Sequence, residues 1–143
     1  MKSLLLYWLL VCGYMAVAQP TSQPLPATVH AVALPPAMYH TLYDSCTQLD
    51  IVFITGKGGS MSLDGKNVKY FTSFVNPKTT DKKPNAPQDG LIMWQINGRE
   101  YLTGNIYFTG DSAGYILFSK NSREYINALT PQGAKFLKSR GGK

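Results

Sequence analysis

Between residues 90 and 128 the sequence twice sets an apolar run, a two-residue turn and a return run in series: GLIMWQI-NG-REYLTG and GYILFSK-NS-REYINA. This pattern constrains the fold more than any other. A two-residue loop joins neighbouring antiparallel strands and fixes which residues face one another. Asn-Gly supplies the two positive-φ residues such a turn needs, whereas Ser tolerates that conformation poorly, so Asn-Ser is the weaker turn. The expected register puts Trp94 opposite Tyr101 and Phe118 opposite Tyr125, an aromatic pair in each hairpin worth about 0.2–1 kcal/mol. Gln95 then faces Glu100, and Ser119 faces Glu124. Lys120 would face Arg123, a like-charge pair that argues for a second loop longer than two residues. The shared Arg-Glu-Tyr phrase is hairpin construction, and nothing in it demands catalysis.

Runs rich in β-branched and aromatic residues, separated by Gly, Asn, Asp or Pro, place further strands. Strands are expected at 49–55, 60–63, 68–75, 90–96, 99–108, 114–120 and 123–127. Pro35-Pro36 can open a helix in which Tyr39, Leu42, Tyr43 and Cys46 recur at three- and four-residue spacing. TPQGAKFLKSR reads as a closing helix, with Thr130 as N-cap, Pro131 at the first helical position, and Lys135, Lys138 and Arg140 toward the end that favours cations. The fold class is α+β: a twisted antiparallel sheet of about six strands, an N-terminal helix across one face and a short C-terminal helix.

The first residues, MKSLLLYWLLVCGYMAVAQ, combine one positive charge, an apolar run and a small-x-small site at Ala16-Val17-Ala18. They read as a signal peptide over 1–18, the apolar run being shorter than the ~20 residues that span a bilayer. Lipidation at Cys12 is disfavoured by the bulky Val11 before it and the apolar GYMAVA after it. The expected location is therefore secreted or periplasmic, with no stable transmembrane segment. Residues 19–36, QPTSQPLPATVHAVALPP, read as a disordered Pro-rich linker, and 37–140 as a single α+β domain. Loss of Lys2 with the signal lowers the formal net charge from +6 to +5. That modest basic excess favours anionic partners. Cys46 is then the only cysteine, so neither an internal disulfide nor a thiolate metal cage is expected.

A search for chemistry in the motifs returns little. TGKGGSMSLDGKN fails as a phosphate loop: Gly59 and Gly65 are separated by five residues, not four, and Asn67 stands where Ser or Thr would hold magnesium. One of the two histidines, His30, lies in the linker, and His40 lies too far round the helix to pair with Cys46. Asp44, Asp50, Asp64, Asp81, Asp89 and Asp111 all sit at turns or element ends, where Asp belongs by turn chemistry. Lys66, Lys69, Tyr70 and Phe71 are the nearest approach to a basic-aromatic nucleic-acid surface, and export argues against that partner. No motif calls for a cofactor or a metal.

The strands are apolar on both faces. Ile92, Trp94 and Ile96 alternate with Leu91 and Met93, and Ile106, Phe108, Ile116 and Phe118 alternate with Tyr107, Tyr115 and Leu117. A one-sided sheet would carry polar residues at every second position. The second face is thus to be covered by curling of the sheet around a helix or by a partner, with Tyr107 and Tyr115 as its candidate contact residues. Residues 76–90, NPKTTDKKPNAPQDG, carry three prolines and three lysines and read as a disordered basic loop. Lys78, Lys82 and Lys83 are its candidate partner-binding residues. The expected function is an exported, non-enzymatic binding or interaction protein of the cell envelope or the extracellular medium. Its expected partner is a second copy of the chain or an envelope ligand, with anionic ligands favoured. The alternative is a small secreted hydrolase acting on envelope polymers.

Overall fold

A computed structural model describes residues 32–81 and 86–141. The expected signal peptide and most of the expected linker lie outside the described residues. In chain order the elements are α1 (Pro36–Asp44), β1 (Gln48–Phe53), β2 (Gly59–Asp64), α2 (Lys66–Thr72), β3 (Gly90–Ile96), β4 (Arg99–Gly110), β5 (Ala113–Lys120), β6 (Arg123–Ala128) and α3 (Pro131–Gly141). The strands form one antiparallel sheet in the order β2-β1-β3-β4-β5-β6. The architecture is the expected α+β one, with α1 before the sheet and the short α3 after it.

One expected strand is a helix. Residues 68–75, read as strand from their β-branched and aromatic content, contain most of α2. The same residues carry a helical period: Val68, Phe71, Thr72 and Val75 are buried at spacings of three, one and three. Docking of that stripe onto the sheet decided between the two periods, overriding strand propensity. α1 begins at the expected prolines and buries Leu42, with Cys46 buried just beyond its end, while Tyr43 points outward. α3 is capped as expected: Gly133 N–H donates to Thr130 Oγ1 at 3.1 Å.

All three helices cover the same face of the sheet. Leu42 of α1, Val68 and Phe71 of α2, and Ala134 and Leu137 of α3 share one buried cluster with Leu49, Ile51, Ile92, Trp94, Ile106, Ile116 and Phe118. Trp94 is its centre. Its ring lies 6.2 Å from Phe71 and 5.5 Å from Phe118, and its Nε1–H donates to Thr72 Oγ1 at 3.1 Å. The Thr72 hydroxyl in turn donates to Val68 O at 2.8 Å, so the buried polar atoms are satisfied. Gly104 sits opposite Phe118 in the same row, and a β-carbon there would lie 2.6 Å from Ile116 Cγ2.

The two hairpins exchange the roles expected of them. The Asn-Gly hairpin pairs Gln95 with Glu100 and Ile96 with Arg99 as expected, but a register shift follows and Trp94 faces Leu102. Tyr101 is the extra, unpaired residue of this bulge. The Asn-Ser hairpin keeps the strict two-residue register, pairing Phe118 with Tyr125, Ser119 with Glu124 and Lys120 with Arg123. The longer loop expected there is not formed; Asn121 and Ser122 take φ of 51° and 60°. Lys120 escapes Arg123 by leaning across to β4, where its Nζ lies 3.5 Å from the centre of the Tyr101 ring and donates to Tyr101 O at 2.9 Å. The bulge and the tolerated like-charge pair thus meet in one contact.

Ser122 at φ 60° carries a strain that glycine would not. Ser122→Gly is expected to raise the urea unfolding midpoint, by about 1 kcal/mol in stability at unchanged slope. Gly98→Ser, at φ 75°, should lower it by a similar amount. A lower midpoint for Ser122→Gly would contradict the two-residue turn.

Candidate functional site

The other face, helix-free among the described residues, is built from the alternate residues of the same strands, and its chemistry changes along the strand order. At the β2–β1 end it is polar. Asp50 lies directly opposite Ser62 and two residues from Gln48, whose register partner is Gln95. Ser62 Oγ–H donates to Asp50 Oδ1 at 2.5 Å, Gln48 Nε2 donates to both carboxylate oxygens at 3.2 and 3.1 Å, and Gln95 Nε2 donates to Oδ2. The carboxylate is spent on its own strands' side chains, and serves as the tie across β1, β2 and β3.

In the middle the face turns apolar and open. Val52 and Leu91 are register partners, 47% and 46% exposed. With Asp50, Met93 and Thr103 they line a hollow of about 220 Å³. At the far end it becomes aromatic. Tyr107 and Tyr115 are register partners on β4 and β5, and their rings stack with centroids 4.9 Å apart and planes 16° from parallel. Tyr115 is only 1% exposed, buried with Leu117 and Ile126, while Tyr107 packs half-buried against that cluster.

The basic segment arrives at this same end. Tyr115 pairs with Ala128 on β6, and Ala128 N–H donates to Lys78 O at 3.2 Å. The tyrosine pair is thus in one row with Ala128, and the backbone of Lys78 bonds to the end of that row from a turn at residues 76–78. Lys82 and Lys83 lie outside the described residues. The stretch read as a disordered loop is bonded where it is described. Asn76 N–H donates to Ala128 O at 2.8 Å, and Asp89 is buried with its carboxylate accepting from Thr55 Oγ1 at 2.8 Å and Phe108 N–H at 2.7 Å. Beside the row a second hollow of about 540 Å³ is lined by Thr80, Asp81, Thr109, Ser112 and Tyr115 among others. Its lining mixes these hydroxyls and the Asp81 carboxylate with Ala113, Ala128, Leu129 and Pro131, and is formed in part by the TGDSAGY turn.

The residue that brings Lys78 here escaped the sequence reading. Asn127, fully buried, accepts Leu34 N–H on Oδ1 at 2.9 Å and donates through Nδ2 to Asn76 O at 2.8 Å. It clasps residues 32–34 and 76–78 to the edge of β6, so the packed body takes in Leu34, ahead of residue 37. A polar side chain on the helix-facing row of a strand was the available signal.

The remaining candidates for chemistry occupy separate places. His40 is exposed on α1, while Cys46 is buried. Asp44 pairs with Lys69 at 3.8 Å and Asp111 with Lys138 at 3.5 Å, both at the surface. Among the described residues no group of three or more His, Cys, Asp or Glu gathers as a metal site, and no helix is long and apolar enough to cross a membrane. Comparison with protein-family models, curated proteins and solved structures gives no match to this chain.

Burial pushes the Cys46 thiol up to about 11 from an ordinary 9.0, against the smaller opposing pull of Lys120. At neutral pH it is a protonated core group and not a nucleophile. Because the folded value lies above the unfolded one, this thiol's contribution is fully present below about pH 9 and is lost as pH rises toward about 11. Urea midpoints of the wild type should therefore fall more steeply between pH 9 and 11 than those of Cys46→Ala, by roughly 2 kcal/mol across the window. Parallel slopes would place the thiol in water.

Proposed function

We propose that this chain is a non-enzymatic binding protein of the cell envelope or the extracellular medium, exported through residues 1–18, and that its contact surface is the aromatic end of the helix-free face. One observation carries the reading: the stacked Tyr107–Tyr115 pair, the backbone of Lys78 and a hollow of about 540 Å³ whose lining includes Thr80, Thr109, Ser112 and Tyr115 lie at one end of the sheet. The half-buried Tyr107 ring, backed by the buried Tyr115, together with nearby hydroxyls and the exposed Lys78, suits an anionic, hydroxyl-bearing ligand such as an acidic glycan or a phosphorylated head group. The exposed Val52–Leu91 strip next to it supplies apolar contact. Against the hydrolase alternative stands the use already made of four acids: Asp50 and Asp89 hold strands together, and Asp44 and Asp111 pair at the surface, which leaves Asp81 as the acid lining the hollow.

The test is native mass spectrometry of the protein purified from its own host. A bound mass is expected on the wild type. Tyr107→Ala and Lys78→Glu should each lose it while keeping the wild-type far-UV spectrum. Tyr107 is preferred to Tyr115 because only Tyr107 is accessible enough to lose without opening the core. A bare wild-type chain, or a bound mass that both variants retain, would remove this end of the sheet as the contact surface.

A further inference from the structure

The two edges of the sheet are treated differently. β6 is covered: Val32 O accepts Ile126 N–H at 2.8 Å, Lys78 O accepts Ala128 N–H, and Ala128 O accepts Asn76 N–H. β2 is bonded to β1 on one side through six consecutive register pairs with no shift. Among the described residues nothing bonds to its other side.

Which groups β2 presents outward follows from its neighbour. Ile54 N–H donates to Asp89 O on the β3 side of β1, and Thr47, just ahead of the strand, donates its N–H to Gln95 O but accepts Gly65 N–H on its carbonyl, in step with the Leu49–Leu63 pairing. Alternation along an antiparallel ladder then turns Gln48, Asp50 and Val52 toward β3, and Leu49, Ile51 and Phe53 toward β2. Their partners Leu63, Met61 and Gly59 spend their backbone groups inward. Ser60, Ser62 and Asp64 are left with N–H and C=O aimed at solvent. Edge strands are ordinarily blunted by lysine, proline, a bulge or a cover. GSMSLD has none of these, and its single charge, Asp64, is its last residue.

We propose that β2 pairs with β2 of a second copy of this chain, antiparallel and centred on Ser62. The strand is complementary to itself in that register. Ser62 faces Ser62 of the partner subunit, and Ser60 faces Asp64 of the partner subunit at both ends. Three outward pairs each exchange two backbone bonds, roughly six in all. On the helix side Met61 meets Leu63 of the partner subunit, joining two half-buried apolar side chains across the seam. Moving the centre to Met61 or Leu63 gives up one outward pair. Centring on Asp64 sets two carboxylates against each other. An offset that sets Ser62 against Leu63 of the partner subunit opposes outward groups to inward ones and forms no ladder. The pairing uses none of the residues of the proposed binding end, so either idea can fail without the other.

Sedimentation equilibrium of the protein in reductant, which keeps Cys46 from cross-linking, tests the pairing. A reversible dimer is expected. Ser60 is exposed and makes no side-chain bond, so substitutions there leave the fold alone. Ser60→Lys places an ammonium opposite Asp64 of the partner subunit twice per dimer and should tighten Kd; Ser60→Asp places a carboxylate there and should weaken it. Each change is expected at about two- to thirtyfold, and high salt should shrink both. Ser62→Pro, lacking the central N–H, should be monomeric. A wild type that stays monomeric at about 100 µM, the weak end of the range worth calling an association, would overturn the proposal. So would a dimer with equal Kd for the two Ser60 variants.

Discussion

Register is the constraint on which the rest of this structure depends. Six antiparallel strands with apolar residues on both faces would be poorly specified by hydrophobicity alone, since a one-residue slip moves each strand's side chains to the opposite face. The Asn121-Ser122 turn removes that freedom between β5 and β6, while between β3 and β4 the bulge at Tyr101 resets the register begun at Asn97-Gly98, so that Leu102 faces Trp94. Once β3, β4, β5 and β6 are fixed, Trp94, Ile106, Ile116 and Phe118 must lie together under the helices, and Tyr107 and Tyr115 must lie together on the other side. The strain accepted at Ser122 is consistent with this, because a longer and more relaxed loop would have surrendered the register.

Polar side chains do the next level of work, most of it between segments that share no turn. Asp50 joins β1 to β2 and β3, Asp89 joins the end of β1 to β4, and Asn127 joins β6 to the segments at 32–34 and 76–78. Each is buried or half-buried, and losing one partner would leave a desolvated polar group, at a cost of about 1–3 kcal/mol. Such ties specify partners as well as add stability, because an apolar replacement could fill the space without selecting Asn76 or Leu34.

How much of this was legible follows the range of the interaction. Hairpins, the Thr130 cap and the proline start of α1 are decided within four residues, and the sequence showed them. The helix α2 was not legible, because VKYFTSFV supports two periods and only contact with Trp94 and Phe136 chooses between them. The bulge at Tyr101 was hidden for a similar reason: the Lys120 that holds it comes from the next strand. At the candidate site, Tyr107 and Tyr115 were found by alternation. Their nearness to Lys78 depends on Asn127 bridging 51 residues of chain, and no local pattern announces that.

The gradient along the helix-free face gives the two surfaces a common logic. Polar and self-satisfied side chains lie at the open β2 edge, while the aromatic, basic end lies beside the covered β6 edge. An antiparallel join through β2 has its two-fold axis perpendicular to the sheet, so both helix-free faces would look the same way. The two tyrosine ends would then stand nine strand spacings apart, roughly 40 Å before twist. A single small ligand cannot span that distance, but a repeating polymer can, and the second contact is then made at the high effective concentration set by the first. Weak individual sites, of the kind one aromatic pair and one ammonium can form, would become useful on an extended anionic chain and remain weak toward its isolated units.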